Sequence, residues 1–195
     1  MPDHYYTENP NSAHDERRIT LTALGNALTF TTDAGVFSRD GLDRGTELLL
    51  EALPPLSGRV LDLGCGWGAV GVALGRRWPG LEIVMTDINS RAVELARRNL
   101  AENGVTATVL QGDGFAAVSG RFDAIVTNPP IRAGKAVVYG LFDQARERLK
   151  PGGALYAVIR KQQGAPSALK YLKEIYAEAV IIDRGSGFHV LRAQL

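Results

Sequence analysis

Hydrophobic and polar positions change period twice along this chain. Ile19, Leu21 and Ala23 alternate with Thr20 and Thr22, and Leu28 and Phe30 alternate with Thr29 and Thr31. A period of two predicts strands, and Gly25-Asn26 between them predicts the turn of a β-hairpin. Asp43 to Leu53 reads as a short helix that Pro54-Pro55 stops. From Arg59 the pattern becomes strand, glycine turn, helix, repeated. Val60-Leu61-Asp62-Leu63 is a short strand before Gly64-Cys65-Gly66-Trp67-Gly68, followed by helical apolar residues to about Arg77. Glu82 to Thr86 is a second strand that closes on Asp87. Ser90 is placed as the N-cap of a helix to Asn103, with Gly104 at its C′ position. Val93, Ala96 and Leu100 share one face of that helix, and Arg91, Glu94, Arg98 and Glu102 the other.

Thr108 to Leu110 and Phe122 to Thr127 supply strands three and four. Val138, Leu141, Phe142, Ala145 and Leu149 recur at helical spacing until Pro151-Gly152-Gly153. Ala154 to Ile159 is apolar throughout, as a central strand covered on both faces must be. A last helix, Ser167 to Tyr176, precedes strand Ala179 to Asp183, the turn Arg184-Gly185-Ser186-Gly187 and strand Phe188 to Ala193. Helical crossovers make parallel neighbours, whereas a tight turn makes antiparallel ones. The expected architecture is an α/β sheet, parallel except for one strand at the end.

Composition narrows the classes. The chain has 195 residues, 45% hydrophobic and 22% charged. That is one globular domain rather than a disordered chain. Residues 1–17 are polar and without period, a leader that is mobile unless something docks it. Residues 18–195 form the single domain, 18–54 as hairpin and helix and 55–195 as the core. The longest apolar run, Ala154 to Ile159, is far short of the ~20 residues a membrane helix needs. The start has no apolar signal segment, so a cytoplasmic location is expected. Cys65 is the sole cysteine, which excludes an internal disulfide framework. His4, His14 and His189 have no metal-ligand spacing, so no metal is expected. With 22 basic against 21 acidic residues, nucleic acid cannot be held by bulk charge, only by a local patch.

The chemistry concentrates after the strands. An open parallel sheet binds its ligand at the carboxyl ends of its strands, where Gly64, Gly66 and Gly68 let the backbone approach closely. Asp87 closes strand two and can accept from both ribose hydroxyls, which suits any adenosine-bearing cofactor. Two readings compete. Gly66-Trp67-Gly68-Ala69-Val70-Gly71 matches the dinucleotide pattern, and Asp87 follows Gly66 by 21 residues. Asp62-Leu63-Gly64-Cys65-Gly66 instead fits a loop for S-adenosylmethionine. A carboxylate at Asp62 would repel a pyrophosphate but suits the α-ammonium of a methionine moiety. Gln111-Gly112-Asp113-Gly114 follows strand three, where Asp113 can accept from an adenine amine.

Asn128-Pro129-Pro130-Ile131 follows strand four. An exocyclic amine on a base or amide is a poor nucleophile because its lone pair is delocalised. The Asn128 side-chain oxygen and the Pro129 carbonyl can each accept one of its N–H groups and aim the lone pair at a methyl donor. Pro130 limits the loop's freedom. Cys65 sits inside the glycine loop and reads as a small packing residue rather than a nucleophile. Trp67 likewise reads as packing.

On these motifs the chain resembles the class I methyltransferase small-domain family, whose best-known members are 16S ribosomal RNA guanine-N2 methyltransferases. The stretches that carry the resemblance are His4-Tyr5-Tyr6, Gly35 to Thr46, Val60 to Gly66, Asn128 to Lys135 and Arg160 to Ala165. The resemblance implies a Rossmann-like seven-stranded sheet in the order 3-2-1-4-5-7-6, with strand 7 antiparallel. It implies S-adenosylmethionine held by Asp62, Gly64, Cys65, Gly66, Asp87, Ile88, Asp113, Gly114 and Asn128, with Asn128-Pro129-Pro130 as the catalytic segment. Ribosomal RNA, or the small ribosomal subunit, is the implied partner. The family's guanine-N2 enzymes carry two tandem domains, and this sequence holds one. Ile131 stands where an aromatic commonly stacks on the target, and Phe37 is a candidate to replace it. Arg39, Arg132, Lys135, Arg160 and Lys161 fall in loops expected around the entrance, as a phosphate-binding rim requires. Two rival readings remain: a protein glutamine-amide methyltransferase, and a non-catalytic RNA-binding or assembly module.

Overall fold

The computed structural model describes residues 8–10 and 12–195, so His4-Tyr5-Tyr6 lie outside the described residues. The hairpin pairs β1 (Arg17–Ala23) with β2 (Asn26–Thr32). Its turn is Leu24-Gly25, one residue earlier than expected, because Ala23 pairs with Asn26. Both turn residues have positive φ, 49° and 79°, the geometry whose twist matches a two-residue hairpin. Asn26 belongs to the strand and donates its side-chain amide to the Leu24 carbonyl at 3.1 Å.

Helix α1 (Arg44–Ala52) is capped by Asp43, whose carboxylate accepts from the Gly45 and Thr46 N–H groups. Then follow β3 (Arg59–Leu63), α2 (Ala69–Arg77), β4 (Glu82–Asp87), α3 (Ser90–Glu102) and β5 (Thr108–Gln111). The chain continues through β6 (Phe122–Thr127), α4 (Lys135–Arg148), β7 (Leu149–Arg160), α5 (Ala165–Ile175), β8 (Glu178–Gly185) and β9 (Phe188–Gln194). The cap of α3 is Asn89, not Ser90. Its side chain accepts from the Arg91 and Ala92 N–H groups through its oxygen and donates through its nitrogen to the Gly35 carbonyl, tying the helix to the loop after the hairpin. Helix α4 stops at Arg148, before Pro151, because Leu149 already pairs with Phe122 of β6.

The seven-stranded sheet runs β5-β4-β3-β6-β7-β9-β8, with β9 antiparallel to both neighbours. This is the strand order the family resemblance implies. Two cores flank it: α1, α2, α3 and the hairpin cover one face around Leu49, Val72 and Leu95, while α4 and α5 cover the other around Phe142 and Leu172. Among the described residues no helix is long and apolar enough to cross a membrane.

The hairpin is held by polar bonds as well as by Leu28 and Phe30. Asn99 bonds both the N–H and the carbonyl of Thr31, at 2.7 and 2.9 Å, and Asn103 does the same to Thr29. Two asparagines one helical turn apart thus answer β2 backbone groups that its open edge would leave unpaired. The described part of the leader is docked. Arg91, whose side chain is 10% exposed, donates to the Ser12 hydroxyl and to the Ser12, Pro10 and Ala34 carbonyls. Beside it Asp33 is buried and accepts from His14 and from the Asp15 and Ala34 N–H groups.

Burial works to raise the Asp33 pKa, but these hydrogen bonds and the Arg91 charge bring it below its ordinary value. A carboxyl depressed in the folded state contributes stability above its unfolded pKa, and that contribution is lost as pH falls through the folded value. Arg91→Ala leaves this carboxylate without its cation. It is expected to cost about 3 kcal/mol at neutral pH, read by denaturant unfolding, with a smaller difference from the parent once Asp33 is protonated.

Candidate active site

The carboxyl ends of β3, β4, β5 and β6 open on one cavity of about 780 Å3. Its floor is the glycine loop after β3. The Gly64 and Cys65 N–H groups donate to the Thr86 carbonyl at 2.9 and 3.0 Å, which fixes the loop across to β4. Gly64 and Gly66 take φ of 74° and 53°, and a Cβ on either would meet nothing within 4 Å. Their bare faces therefore border the open cavity. Gly68 and Gly71 differ, since a Cβ would lie 3.1 Å from Ala96 on α3 and 2.5 Å from the Met85 sulfur respectively. Those two glycines serve packing, and neither lines the cavity. The dinucleotide reading needs the second glycine of Gly66-Trp67-Gly68 against a pyrophosphate, so the geometry removes its basis.

Asp62 lies beneath the loop, 2% exposed, accepting from the Gly71 N–H at 2.9 Å. Burial, with the Asp87 charge adding to it, pushes its carboxyl up to about 7. Among the described residues no basic side chain forms an ion pair with it, and the Gly71 N–H is its hydrogen-bond donor. A buried acid lacking a cation, open to a cavity, is suited to an incoming ammonium. Asp87 accepts from the Gly66 and Asn89 N–H groups at 2.7 and 2.9 Å, while burial raises its pKa. Thr86 also lines the cavity, and its buried hydroxyl has no partner among the described residues. Ile88, Asp113 and Gly114 complete this side, with Asp113 exposed. These groups fit an adenosine-bearing amino acid. Burial drives the Cys65 thiol well above its ordinary pKa, so it stays neutral and is a poor nucleophile.

Opposite the glycine loop stands Asn128. Its side-chain nitrogen donates to the Thr46 hydroxyl at 3.0 Å and faces the Asp43 carboxylate at 3.4 Å. Thr46 in turn donates to Asp43, which caps α1. Because a carboxylate only accepts, this chain fixes the amide with its nitrogen toward α1. The Asn128 oxygen is then the atom left for the cavity. The Pro129 carbonyl accepts from the Ile131 N–H at 2.8 Å across Pro130, whose φ of −74° and ψ of 77° form a tight γ-turn. A carbonyl carries two lone pairs, so one remains open.

The rim contains Phe37, Ile131, Arg132, Arg160, Gln163 and Phe188. Phe37 is 42% exposed, and its carbonyl accepts from the Trp67 indole at 3.0 Å. Trp67 thus ties the Phe37 loop to the glycine loop while packing edge-on against Phe30. Three expected entrance residues lie off the cavity wall. Arg39 turns away to pair with Asp15 of the leader. Lys135 lies 5.0 Å from the Tyr139 ring centre on α4, and Lys161 sits just beyond Arg160. Asp43 and Thr46 were readable only as a helix start; the spacing to Asn128, 85 and 82 residues, gives no local signal.

A family model described as the methyltransferase small domain matches residues 27–192. The chain is 39% identical to the uncharacterized protein YbxB of Bacillus subtilis, over 100% of this chain and 99% of that protein. It is 40% identical to ribosomal RNA small subunit methyltransferase C of Citrobacter koseri, over 87% of this chain and 47% of that enzyme. Its fold superposes with a TM-score of 0.83 and 32% identity on the T. thermophilus 16S rRNA guanine-N2 methyltransferase, solved with S-adenosylmethionine and guanosine. That alignment covers 95% of this chain and 52% of the other, so the chain spans about half the length of these ribosomal RNA enzymes. The chain belongs to the methyltransferase small-domain family, and S-adenosylmethionine is its cofactor.

Proposed function

We propose that this protein transfers a methyl group to an exocyclic amine, guanine N2 of small-subunit ribosomal RNA. The observation that carries the reading is the Asn128 amide fixed through its nitrogen by Thr46 and Asp43, next in the chain to the Pro129 carbonyl, both residues lining the cavity at the end of β6. Two acceptors there match the two N–H groups of a planar amine. The T. thermophilus enzyme, which acts on guanine N2 of 16S rRNA and was solved with guanosine, supports guanine as its bearer.

S-adenosylmethionine, when bound, supplies an electrophilic methyl on a sulfonium. Asp62 meets its ammonium from below the loop, and Asp87 its ribose hydroxyls. The Asn128 oxygen and the Pro129 lone pair accept from the target amine, reduce its conjugation with the ring and hold the nitrogen for in-line attack. Such catalysis is positioning, with no strong base required. The nitrogen bonds the methyl carbon as the carbon–sulfur bond breaks, and its surplus proton leaves to water at the mouth. A base must leave its stack to reach this depth.

Inosine separates this reading from its rivals because it lacks the N2 amine. Tritiated methyl is expected to enter guanosine-containing RNA and not the inosine-substituted copy. Label in a glutamine-containing peptide instead would overturn the reading. The role of Thr46 is tested by Thr46→Val, which keeps the shape and removes the hydroxyl. Turnover is expected to fall about tenfold, roughly one hydrogen bond's worth, with cofactor affinity measured by calorimetry unchanged.

A further inference from the structure

Arg44, Arg132 and Arg160 line the cavity, and beyond Arg160 two further cations follow. Arg160 ends β7 with its guanidinium over the Phe188 ring at 4.9 Å, and both line the cavity. Lys161 follows, its backbone N–H bonded to the Gly187 carbonyl at 2.8 Å in the β8–β9 turn. Arg184 pairs with His189 across that turn. Lys161 and Arg184 both act on His189, whose pKa is lowered by burial first and then by these two cations. Asp183, the neighbouring acid, accepts the Arg184 backbone N–H. Elsewhere Arg17, Arg18, Arg59, Arg98 and Arg192 each meet a carboxylate. No such ion pair engages Arg160, Lys161 or Arg184 among the described residues, nor Arg132 on the cavity rim.

Lys161 and Arg184, both exposed, converge about His189 at the turn and repel one another, and a polyanion laid across them relieves that repulsion. We propose that Lys161 and Arg184, just beyond Arg160 at the lip, dock the phosphate backbone of single-stranded RNA beside the methylated nucleotide. The proposal rests on the RNA reading above and adds where the strand runs: out of the cavity, past Arg160 and over the β8–β9 turn. Two features favour RNA over an acidic peptide. A guanidinium braced on an aromatic ring at the lip offers a flat face on which a neighbouring base can stack. At the turn, Gly187 has φ of 80° and no atom within 4 Å of a would-be Cβ, so a backbone can approach closely.

The test is binding of a labelled guanosine-containing single-stranded RNA, followed by fluorescence anisotropy between roughly 50 and 200 mM salt. The paired variant Lys161→Gln, Arg184→Gln is expected to bind about tenfold more weakly and to flatten the log–log salt slope by about 1.4. Arg76→Gln, Arg77→Gln removes the same charge at the C-terminal end of α2, whose N-terminal end lines the cavity, and is expected to bind as the parent does. Unchanged S-adenosylmethionine affinity shows that each variant is folded. Equal weakening by both pairs, or by neither, overturns the proposal. So does an acidic peptide that displaces the RNA at equal charge. If the parent methylates RNA while the Lys161, Arg184 variant binds normally, this inference alone fails; if the parent methylates no RNA, the reading beneath it fails.

Discussion

Asn128→Ala is expected to lower methyl transfer by about a hundred- to a thousandfold, with S-adenosylmethionine still bound. The magnitude is that of deleting one preorganised hydrogen-bonding group at a reacting centre. The Asn128 oxygen is aimed by bonds on the other end of the same amide, to Thr46 and to Asp43. Alanine removes the acceptor and leaves the glycine loop, Asp62 and Asp87 in place. The defect should therefore fall on kcat rather than on cofactor affinity. Asn128→Asp is the sharper control: its carboxylate would face Asp43 across the same gap, and like charges there should displace it, so it is not expected to restore turnover. A variant with parental turnover would remove Asn128 from the mechanism.

The second large effect is at Asp62. Its carboxyl is buried and pushed from an ordinary 3.8 up to about 7. A raised pKa means that the folded chain keeps the proton between those values while the unfolded chain loses it. Stability therefore falls as pH rises through that window, by on the order of 4 kcal/mol at most. Asp62→Asn is expected to stabilise the cofactor-free protein at pH 8 and leave it nearly unchanged at pH 4, read by thermal or denaturant unfolding. The same substitution removes the ammonium's partner, so S-adenosylmethionine affinity is expected to fall about a hundredfold. In the parent, affinity should rise nearly tenfold per pH unit up to about 7 as Asp62 ionises, and in the variant that slope should vanish. Higher stability with unchanged cofactor affinity would show that Asp62 is a buried acid without a ligand. Stability ceded to a site in this way is a recurrent feature of functional residues.

Local patterning carried the architecture well. Period-two and helical runs separate the strands from the helices, and the tight turn before Phe188 announces the antiparallel strand of the seven-stranded sheet. The errors came where two neighbouring residues share a propensity. Asn89 and Ser90 are both good caps, and the bond from the Asn89 amide to Gly35, far off in sequence, could not be read locally. Leu24 in the hairpin turn was masked by Gly25-Asn26, a pair with strong turn chemistry of its own. The glycine loop was legible as a loop, but a string match cannot tell Gly66, which faces open space, from Gly68, which faces Ala96. The support of Asn128 was invisible for a different reason. Asp43 serves at once as helix cap and as acceptor for a loop 85 residues away, and the cap alone explains its presence. The entrance cations showed the limit of loop position as a guide, since Arg39 is drawn off by Asp15.

The central claim, methylation of guanine N2 in small-subunit ribosomal RNA, is tested most directly on small subunits from a strain lacking this gene. The purified protein and tritiated S-adenosylmethionine are added to whole subunits and, in parallel, to their stripped RNA. Nuclease digestion is expected to return the label as N2-methylguanosine from at least one of the two. Label recovered in ribosomal protein, or none in either substrate while the cofactor still binds, would contradict it.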